Sequence, residues 1–433
     1  MKDTTGEKKM SPLPRVRILS TGSEITQGLY ADSNAQELSR RLLDRGFHVI
    51  GHTAVPDDRG EIDSAIRASF GRCDLLVSTG GIGPTEDDLN REIFADAWGV
   101  GLRRIARAEA MMRARFARRG RVMPEKNLKQ AFIPVGARPL LNFWGTAAGF
   151  LMPCGQDRPW ALVMPGVPSE WRGMFDRSFA RVVEPLFPGL RPRRVHTLHY
   201  ALLPESLVNE RVQDLFAADD RVEVGILAKR GRIRLRLAAA FEDAQALEAL
   251  AARMRDRLPR EALFAEGPED ATLEEAAVAA LRHTGQRVAL AESCTGGGIA
   301  HRLTHVPGSS AVLEESVVTY SNDAKQQWLG VEAALIAAPG AVSGECALAM
   351  ARGLLARTQA HVALSVTGIA GPGGGSVDKP VGTVWIGLVD RQGVAVARPF
   401  HFPGDRDSVR EWAENQALEF LRRTAMGYPL PEA

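Results

Sequence analysis

The chain is poor in cysteine and has no long apolar run. Its four cysteines, Cys73, Cys154, Cys294 and Cys346, are scattered over 433 residues. That spacing forms neither a zinc motif nor a disulfide framework, so reduced thiols in a cytoplasmic protein are expected. No stretch reaches the roughly 18 apolar residues of a membrane span. The first ten residues are polar and charged with no apolar h-region, which argues against secretion. An excess of one charge is also missing: 54 basic and 52 acidic side chains leave a net charge of +2. No global attraction to nucleic acid follows from that balance.

What is present suits folded protein. Hydrophobic residues make up 45% and charged residues 24%, values typical of globular chains. The length exceeds one ordinary core, so two or three domains are expected. Residues 1–14 read as a polar tail. Strands at Val16–Leu19, Phe47–His52 and Leu75–Val77 alternate with helical stretches, which argues an α/β sheet covered on both faces. Ser33 to Gln36 has capping-box spacing before one of those helices. Pro134 to Pro168 is turn-rich, with Trp160–Met164 strand-like inside it. A smaller α+β unit follows, in which Ile233, Leu235 and Leu237 alternate with Arg232, Arg234 and Arg236. Gly267 to Asp270 reads as a linker. The last α/β domain runs over 271–425, with Ser343 capping a helix. A basic run from Arg103 to Lys129 reads most simply as a solvated face, or else as an anion-contacting surface.

Two loops carry chemistry. The first is Ser78 to Asp88. Gly80, Gly81 and Gly83 allow close approach to a phosphate, and Thr85 stands where it would cap a helix aimed at the anion. Asp57, Asp58, Asp87 and Asp88 supply hard oxygen donors, which suit magnesium shared with a substrate pyrophosphate. The plainer alternative makes the acids of 86–88 first-turn helix residues with electrostatic value only.

The second loop is Ala291 to Gly297, echoed by Thr319 to Asn322 and Lys325. No histidine–aspartate pair accompanies it, so a Ser-His-Asp triad is disfavoured. Serine with a desolvated, neutral lysine is the physical alternative. Ser293 and Ser310 compete as nucleophile, Lys325 is the base, and Tyr320 is a proton relay or oxyanion donor. Gly296 and Gly297 offer backbone donors to an oxyanion or a phosphate. No metal or cofactor is expected there. The alternative is that Ser293 and Thr295 merely cap the next helix while Lys325 lies on its surface. Thr367 to Gly375, with five glycines, is either a flexible turn or a nest for phosphate or ribose. It lacks the lysine of a Walker loop.

Over nearly its whole length the chain resembles the CinA family of competence/damage-inducible proteins. In the first domain the likeness is carried by Thr21–Glu24, Gly28, Asn34, Val55–Asp58, Ser78–Asp88, Gly145–Ala147 and Pro165–Pro168. In the last it is carried by Ala291–Gly297, Pro307–Ser310, Thr319–Asn322 with Lys325, Gly340–Ser343, Thr367–Gly375, Lys379–Thr383 and Arg406. The resemblance implies a three-layer molybdopterin-binding-like domain at 15–175, a KH-like α+β connector at 176–266 and an α/β amidase domain at 271–425. It implies cleavage of ADP-ribose to AMP and ribose 5-phosphate at the first site, with a divalent metal and with Glu24 and Asn34 among the binding residues. At the last site it implies deamidation of nicotinamide mononucleotide, with Thr295, Ser309, Thr367, Gly368, Gly371, Gly373 and Arg406 binding substrate. The connector lacks a Gly-x-x-Gly loop, so RNA binding is not carried over. Ile25–Gln27 and Asn142–Gly145 depart from the family pattern. A homodimer joined through leucine-rich outer helices is expected, and no membrane partner. Contact with nucleic acid or a repair protein has no support in the sequence. The reading of another class is a non-catalytic nucleotide-sensing adaptor in DNA uptake or damage response.

Overall fold

A computed structural model describes residues 13–432 of the chain. Most of the tail expected at 1–14 lies outside the described residues. Two compact units divide between Arg194 and Val195.

The first unit is built on six strands in the order His48–Val55, Arg15–Thr21, Leu75–Thr79, Trp160–Met164, Gly149–Met152, Arg138–Leu140. The first four are parallel, and the last two pair antiparallel. Period-two alternation sends Val16, Ile18, Leu75 and Val77 into one core with Trp171, Phe175 and Phe179. Leu19 and Leu76 enter a second core with Ile93, Phe94 and Phe150. Each fully buried aliphatic side chain of this kind contributes roughly 1.5–3 kcal/mol. Two cores on two faces of one sheet make the three-layer architecture.

Local capping differs from the expectation at three places. Asp32, not Ser33, caps the helix Ser33–Asp44, accepting from Ala35 N at 2.9 Å. Asp58 caps the helix Arg59–Arg67, accepting from Gly60 N and Glu61 N. The helix after the glycine loop begins at Asn90, not at Asp87, and Thr85 does not cap it. The basic run is also more structural than expected. Arg104 and Arg113 both pair with Glu109, and Arg115 donates to the Trp144 carbonyl.

The second unit opens with four strands in the order Val222–Lys229, Arg232–Ala240, Arg193–Ala201, Leu263–Gly267, with helices Glu205–Val212 and Ala244–Arg257. Ile233, Leu235 and Leu237 are buried as their alternation requires. The arginines between them do not face open solvent. Arg232 pairs with Glu411, and Arg236 pairs with Glu269 at 2.9 Å. The expected linker is likewise tied down: Pro268 O bonds the His199 ring at 2.7 Å, and Glu269 O accepts from Arg234.

A five-stranded sheet follows in the order Leu313–Val318, Val288–Glu292, Val362–Gly368, Thr383–Asp390, Ala395–His401. Its first three strands are parallel and the others antiparallel. Helices Leu273–His283, Gly298–Thr304 and Arg406–Met426 cover one face, and Gly344–Arg357 covers the other. Ser343 caps that last helix, accepting from Cys346 N at 3.2 Å. Among the described residues no helix is long and apolar enough to cross a membrane.

Candidate functional site

Both sheets collect their loops at the carboxyl ends of parallel strands, where open α/β sheets bind ligands. In the first unit Arg15–Thr21 lies between His48–Val55 and Leu75–Thr79, so the connections diverge there. A cavity of about 480 Å³ opens at that point. Its walls include Glu24, Asp57, the Gly80–Pro84 loop, Asp87, Asp88, Gln130, Thr146 and Glu170.

The glycines are required by space. At Gly80 a Cβ would stand 2.2 Å from the Thr21 carbonyl oxygen, and at Gly81 it would stand 2.5 Å from the Asn90 amide carbon. Both residues have positive φ, where a side chain would be strained. Asn90 locks the loop from beneath, donating to Gly80 O at 2.9 Å and Thr21 Oγ1 at 3.0 Å.

The expected acids separate into two groups. Asp57 lines the cavity and accepts from Ser23 N at 2.8 Å. Asp87 and Asp88 also line it, but one Asp88 oxygen already takes both the N–H and the hydroxyl of Thr85. Asp58 is the helix cap described above and is not part of the cavity wall, which corrects its assignment as a metal ligand. Thr85 and Asn34 are not wall residues either. Asn34 works behind the wall, donating to Gly166 O and accepting from Trp171 Nε1, each at 2.7 Å.

Among the described residues no three His, Cys, Asp or Glu side chains form a group able to hold a metal ion. The donor set therefore does not fit a protein-only cage. It fits a hard cation shared between one or two carboxylates and substrate phosphate.

Glu170 and Gln130 are wall residues that sequence reasoning missed. Glu170 accepts from Asn142 Nδ2 at 2.6 Å, and Asn142 Oδ1 accepts from Trp144 N and Gly145 N. The unusual Asn142–Gly145 stretch is thus a side-chain-organised turn that holds Glu170. A larger cavity, about 810 Å³, lies at the amino ends of the same strands. It gathers no strand-end loop of this kind, and its Arg15 and Asp74 pair with each other.

In the last domain three neighbouring parallel strands end together. Ser293 N donates to Val366 O at 3.0 Å and Thr319 N to Glu292 O at 2.9 Å. This register brings Ser293, Thr319 and Thr367 to one end of the sheet. Ser321 caps the helix Asn322–Leu329, accepting from Ala324 N. Lys325 and Leu329, four residues apart, are the buried pair on that helix.

Lys325 is only 2% exposed, contrary to a surface position. Its Nζ lies 3.0 Å from Ser293 Oγ, 2.9 Å from Thr319 O and 3.4 Å from Tyr320 O. Burial pulls its pKa below the ordinary 10.5, because the charged form loses hydration. The nearby thiols provide no anion: burial pushes Cys294 up to about 12 and also raises Cys346.

Neither Ser293 nor Thr295 caps the following helix. Buried Glu292 does so, accepting from Gly297 N, Ile299 N and Ala300 N at 2.9–3.2 Å. Gly296 N is engaged with Ser293 O. The two glycine N–H groups expected to face an oxyanion are therefore already committed. The buried hydroxyls of Thr295 and Thr319 have no partner.

Ser310 and Ser309 do not join this cluster. They sit on the turn Ser309–Ala311 before the strand Leu313–Val318, whose register begins opposite Val288. Ser293 follows the other end of Val288–Glu292, roughly 13 Å or more away at about 3.3 Å per residue.

Tyr320 is 59% exposed, and its hydroxyl accepts from Arg406 Nη2 at 2.6 Å. Arg406 Nη1 donates to Gly371 O at 2.7 Å. The tyrosine hydroxyl thus connects to the glycine loop through Arg406, and its bond is not to Ser293 or Lys325. Thr367 spends its hydroxyl on Ala341 O at 2.8 Å. Gly368 is a packing position against Val384, while Gly373 has open space around it.

Residues 17–185 match a family described as a probable molybdopterin binding domain. Residues 195–262 match the damage-inducible protein CinA KH domain, and 270–425 the CinA C-terminal domain. The chain is 40% identical over 420 residues to a CinA-like protein of Geobacter metallireducens, covering 96% of this chain and 100% of that protein. It is 41% identical over 419 residues to a CinA-like protein of Anaeromyxobacter dehalogenans, covering 94% and 99%. Among solved structures, the competence/damage inducible protein CihA from Agrobacterium tumefaciens is 44% identical over 34% of this chain and 91% of that one, with a TM-score of 0.34.

Proposed function

Because the chain belongs to the CinA family, we propose that it is a two-site hydrolase of pyridine-nucleotide fragments. The last domain deamidates nicotinamide mononucleotide, and the first cleaves ADP-ribose. The observation that carries this reading is the buried contact between Lys325 Nζ and Ser293 Oγ at 3.0 Å.

A neutral Lys325 amine donates its two N–H groups to the carbonyls of Thr319 and Tyr320. That arrangement turns its lone pair toward Ser293 Oγ. Lys325 takes the hydroxyl proton as Oγ bonds to the carboxamide carbon. The same proton passes to the departing nitrogen, the C–N bond breaks, and ammonia leaves an ester on Ser293. Water, deprotonated by Lys325, then adds to the ester. Ser293 recovers its proton and nicotinate mononucleotide departs. The unpartnered hydroxyls of Thr295 and Thr319 supply donors for the developing oxyanion. Arg406, held between Tyr320 and the Gly371 carbonyl, places a cation beside the glycine loop for the nucleotide phosphate.

At the first site the Gly80–Gly83 loop holds the pyrophosphate. Asp57 and Asp87 would share a divalent cation with the substrate's phosphate oxygens, and the bound ion would offset charge on them. Water adds to one phosphorus as its bond to the single bridging oxygen breaks; that oxygen leaves on the other phosphate and the water proton is released, yielding AMP and ribose 5-phosphate.

Ammonia release from nicotinamide mononucleotide by the full chain tests the first activity, and mass analysis of rapidly quenched enzyme tests the ester on Ser293. Absence of turnover by well-folded protein would overturn the amidase reading.

A further inference from the structure

The first cavity contains a polar side chain that nothing in the fold uses. Gln130 is 0% exposed and lines the cavity, yet neither its amide nitrogen nor its amide oxygen has a partner. A buried amide in that condition costs stability, which is why nearly all buried polar groups are paired.

Its backbone is secured independently of that amide. Gln130 O accepts from Ala148 N at 3.2 Å, and the next carbonyl, Ala131 O, accepts from Ile105 N at 2.8 Å. The preceding residue, Lys129, donates through Nζ to the carbonyls of Thr85 and Asp88. These ties fix residues 129–131, Lys129 alone reaching the phosphate loop through Thr85 and Asp88, and none needs the glutamine amide.

We infer that Gln130 is a specificity-determining residue whose amide is completed by an adjacent donor and acceptor on the nucleoside part of the substrate. The inference rests on reading this cavity as a nucleotide pyrophosphate site. A primary amide presents one donor and one acceptor side by side. A purine edge offers the complementary pair, and so does a ribose diol. Phosphate, with acceptors only, satisfies the nitrogen and leaves the oxygen unpaired. Gln130 thus distinguishes a nucleotide from a bare pyrophosphate, while the Gly80–Gly83 loop binds the part they share.

The test is calorimetric titration of the full chain, wild type and Gln130→Met, with AMP, ribose 5-phosphate and inorganic pyrophosphate, together with unfolding midpoints. Methionine keeps the side chain's length and removes both polar atoms. The expected result is at least about 10-fold weaker AMP binding, with pyrophosphate affinity kept within about twofold. The midpoint should hold or rise, since no unpaired amide remains buried. A loss confined to AMP assigns the base edge, and a loss shared by ribose 5-phosphate assigns the diol. Unchanged AMP binding, or equal weakening of all three ligands, overturns the inference. So does a lower midpoint with unaltered discrimination, which would make Gln130 structural. Wild-type protein that binds AMP with this discrimination but leaves ADP-ribose intact would remove the hydrolase reading and keep the Gln130 assignment. No binding of any ligand by the wild type overturns both.

Discussion

The two candidate sites share a layout and differ in what their side chains have left to give. Each lies where parallel strands end. At the first site a glycine loop forms much of the wall, and one wall carboxylate also serves the fold: Asp88 closes the Thr85 turn. At the second the capping duty goes to Glu292, leaving Ser293 and Lys325 in contact. In the proposed phosphate site an acid in a double role is tolerable, because backbone N–H groups and a shared ion would bear most of the charge. In an amide-cleaving site it is not, because the nucleophile and base must both be unencumbered.

The sharpest way to break this contrast is to remove the serine. Ser293→Ala should lower ammonia release by on the order of 10³-fold or more, while Ser310→Ala stays near wild type. An equal loss in both variants would mean that Ser310 completes the site in some other way. Lys325→Arg retains the charge but has no accessible neutral form. It should cost at least about 100-fold in kcat with little change in KM.

At the first site, excess chelator should abolish AMP formation from ADP-ribose, and Asp57→Asn should mimic that loss. Asp58→Ala should instead keep turnover and lose about 1 kcal/mol of stability, the usual value of a helix cap. Urea unfolding beside an AMP assay separates the two outcomes.

The pH response is a finer discriminator. Since burial lowers the Lys325 pKa, kcat for deamidation should rise with pH and level off at a midpoint below 10.5. The same shift has a stability counterpart. Between the depressed value and 10.5 the unfolded lysine binds more proton than the folded one, so stability rises with pH across that window and falls as pH drops through it. A rate midpoint at or above 10.5 would contradict a desolvated base.

The smallest effect concerns the segment between the connector and the last domain. Cutting the chain at 267/268 should leave the 268–433 fragment less stable than the same residues in the whole protein. The cut separates Arg236 from Glu269 and His199 from Pro268. Calorimetry showing no loss would restore the view of 267–270 as a free linker.

Much of this layout is legible in the sequence. Strand positions followed from short apolar runs, and the two glycine-bearing loops announced themselves by composition. Lys325 was open to two readings, a desolvated base or a surface lysine, and its burial at 2% exposure follows from the packed helix Asn322–Leu329. Other roles were not legible. Asp57 and Asp58 are chemically identical neighbours, and only the direction of the helix Arg59–Arg67 makes one a cap and leaves the other on the cavity wall. Gln130 looked like any glutamine beside a basic, polar stretch, because its burial at the cavity wall is a product of tertiary packing.

By itself, then, the sequence determined the element types, the α/β class and the two loops where chemistry belongs, since these depend on local periodicity and on glycine's conformational freedom. The tertiary structure alone decided which hydroxyl meets the lysine. Ser293 and Ser310 both lie in hydroxyl- and glycine-rich motifs. The parallel register that sets Val288 beside Leu313 and Glu292 beside Val318 puts one serine at the carboxyl end of the sheet and the other at the amino end. Strand register is a pairing between segments distant in sequence, strongly specified only where the sheet's faces are buried, so it is decided by tertiary structure.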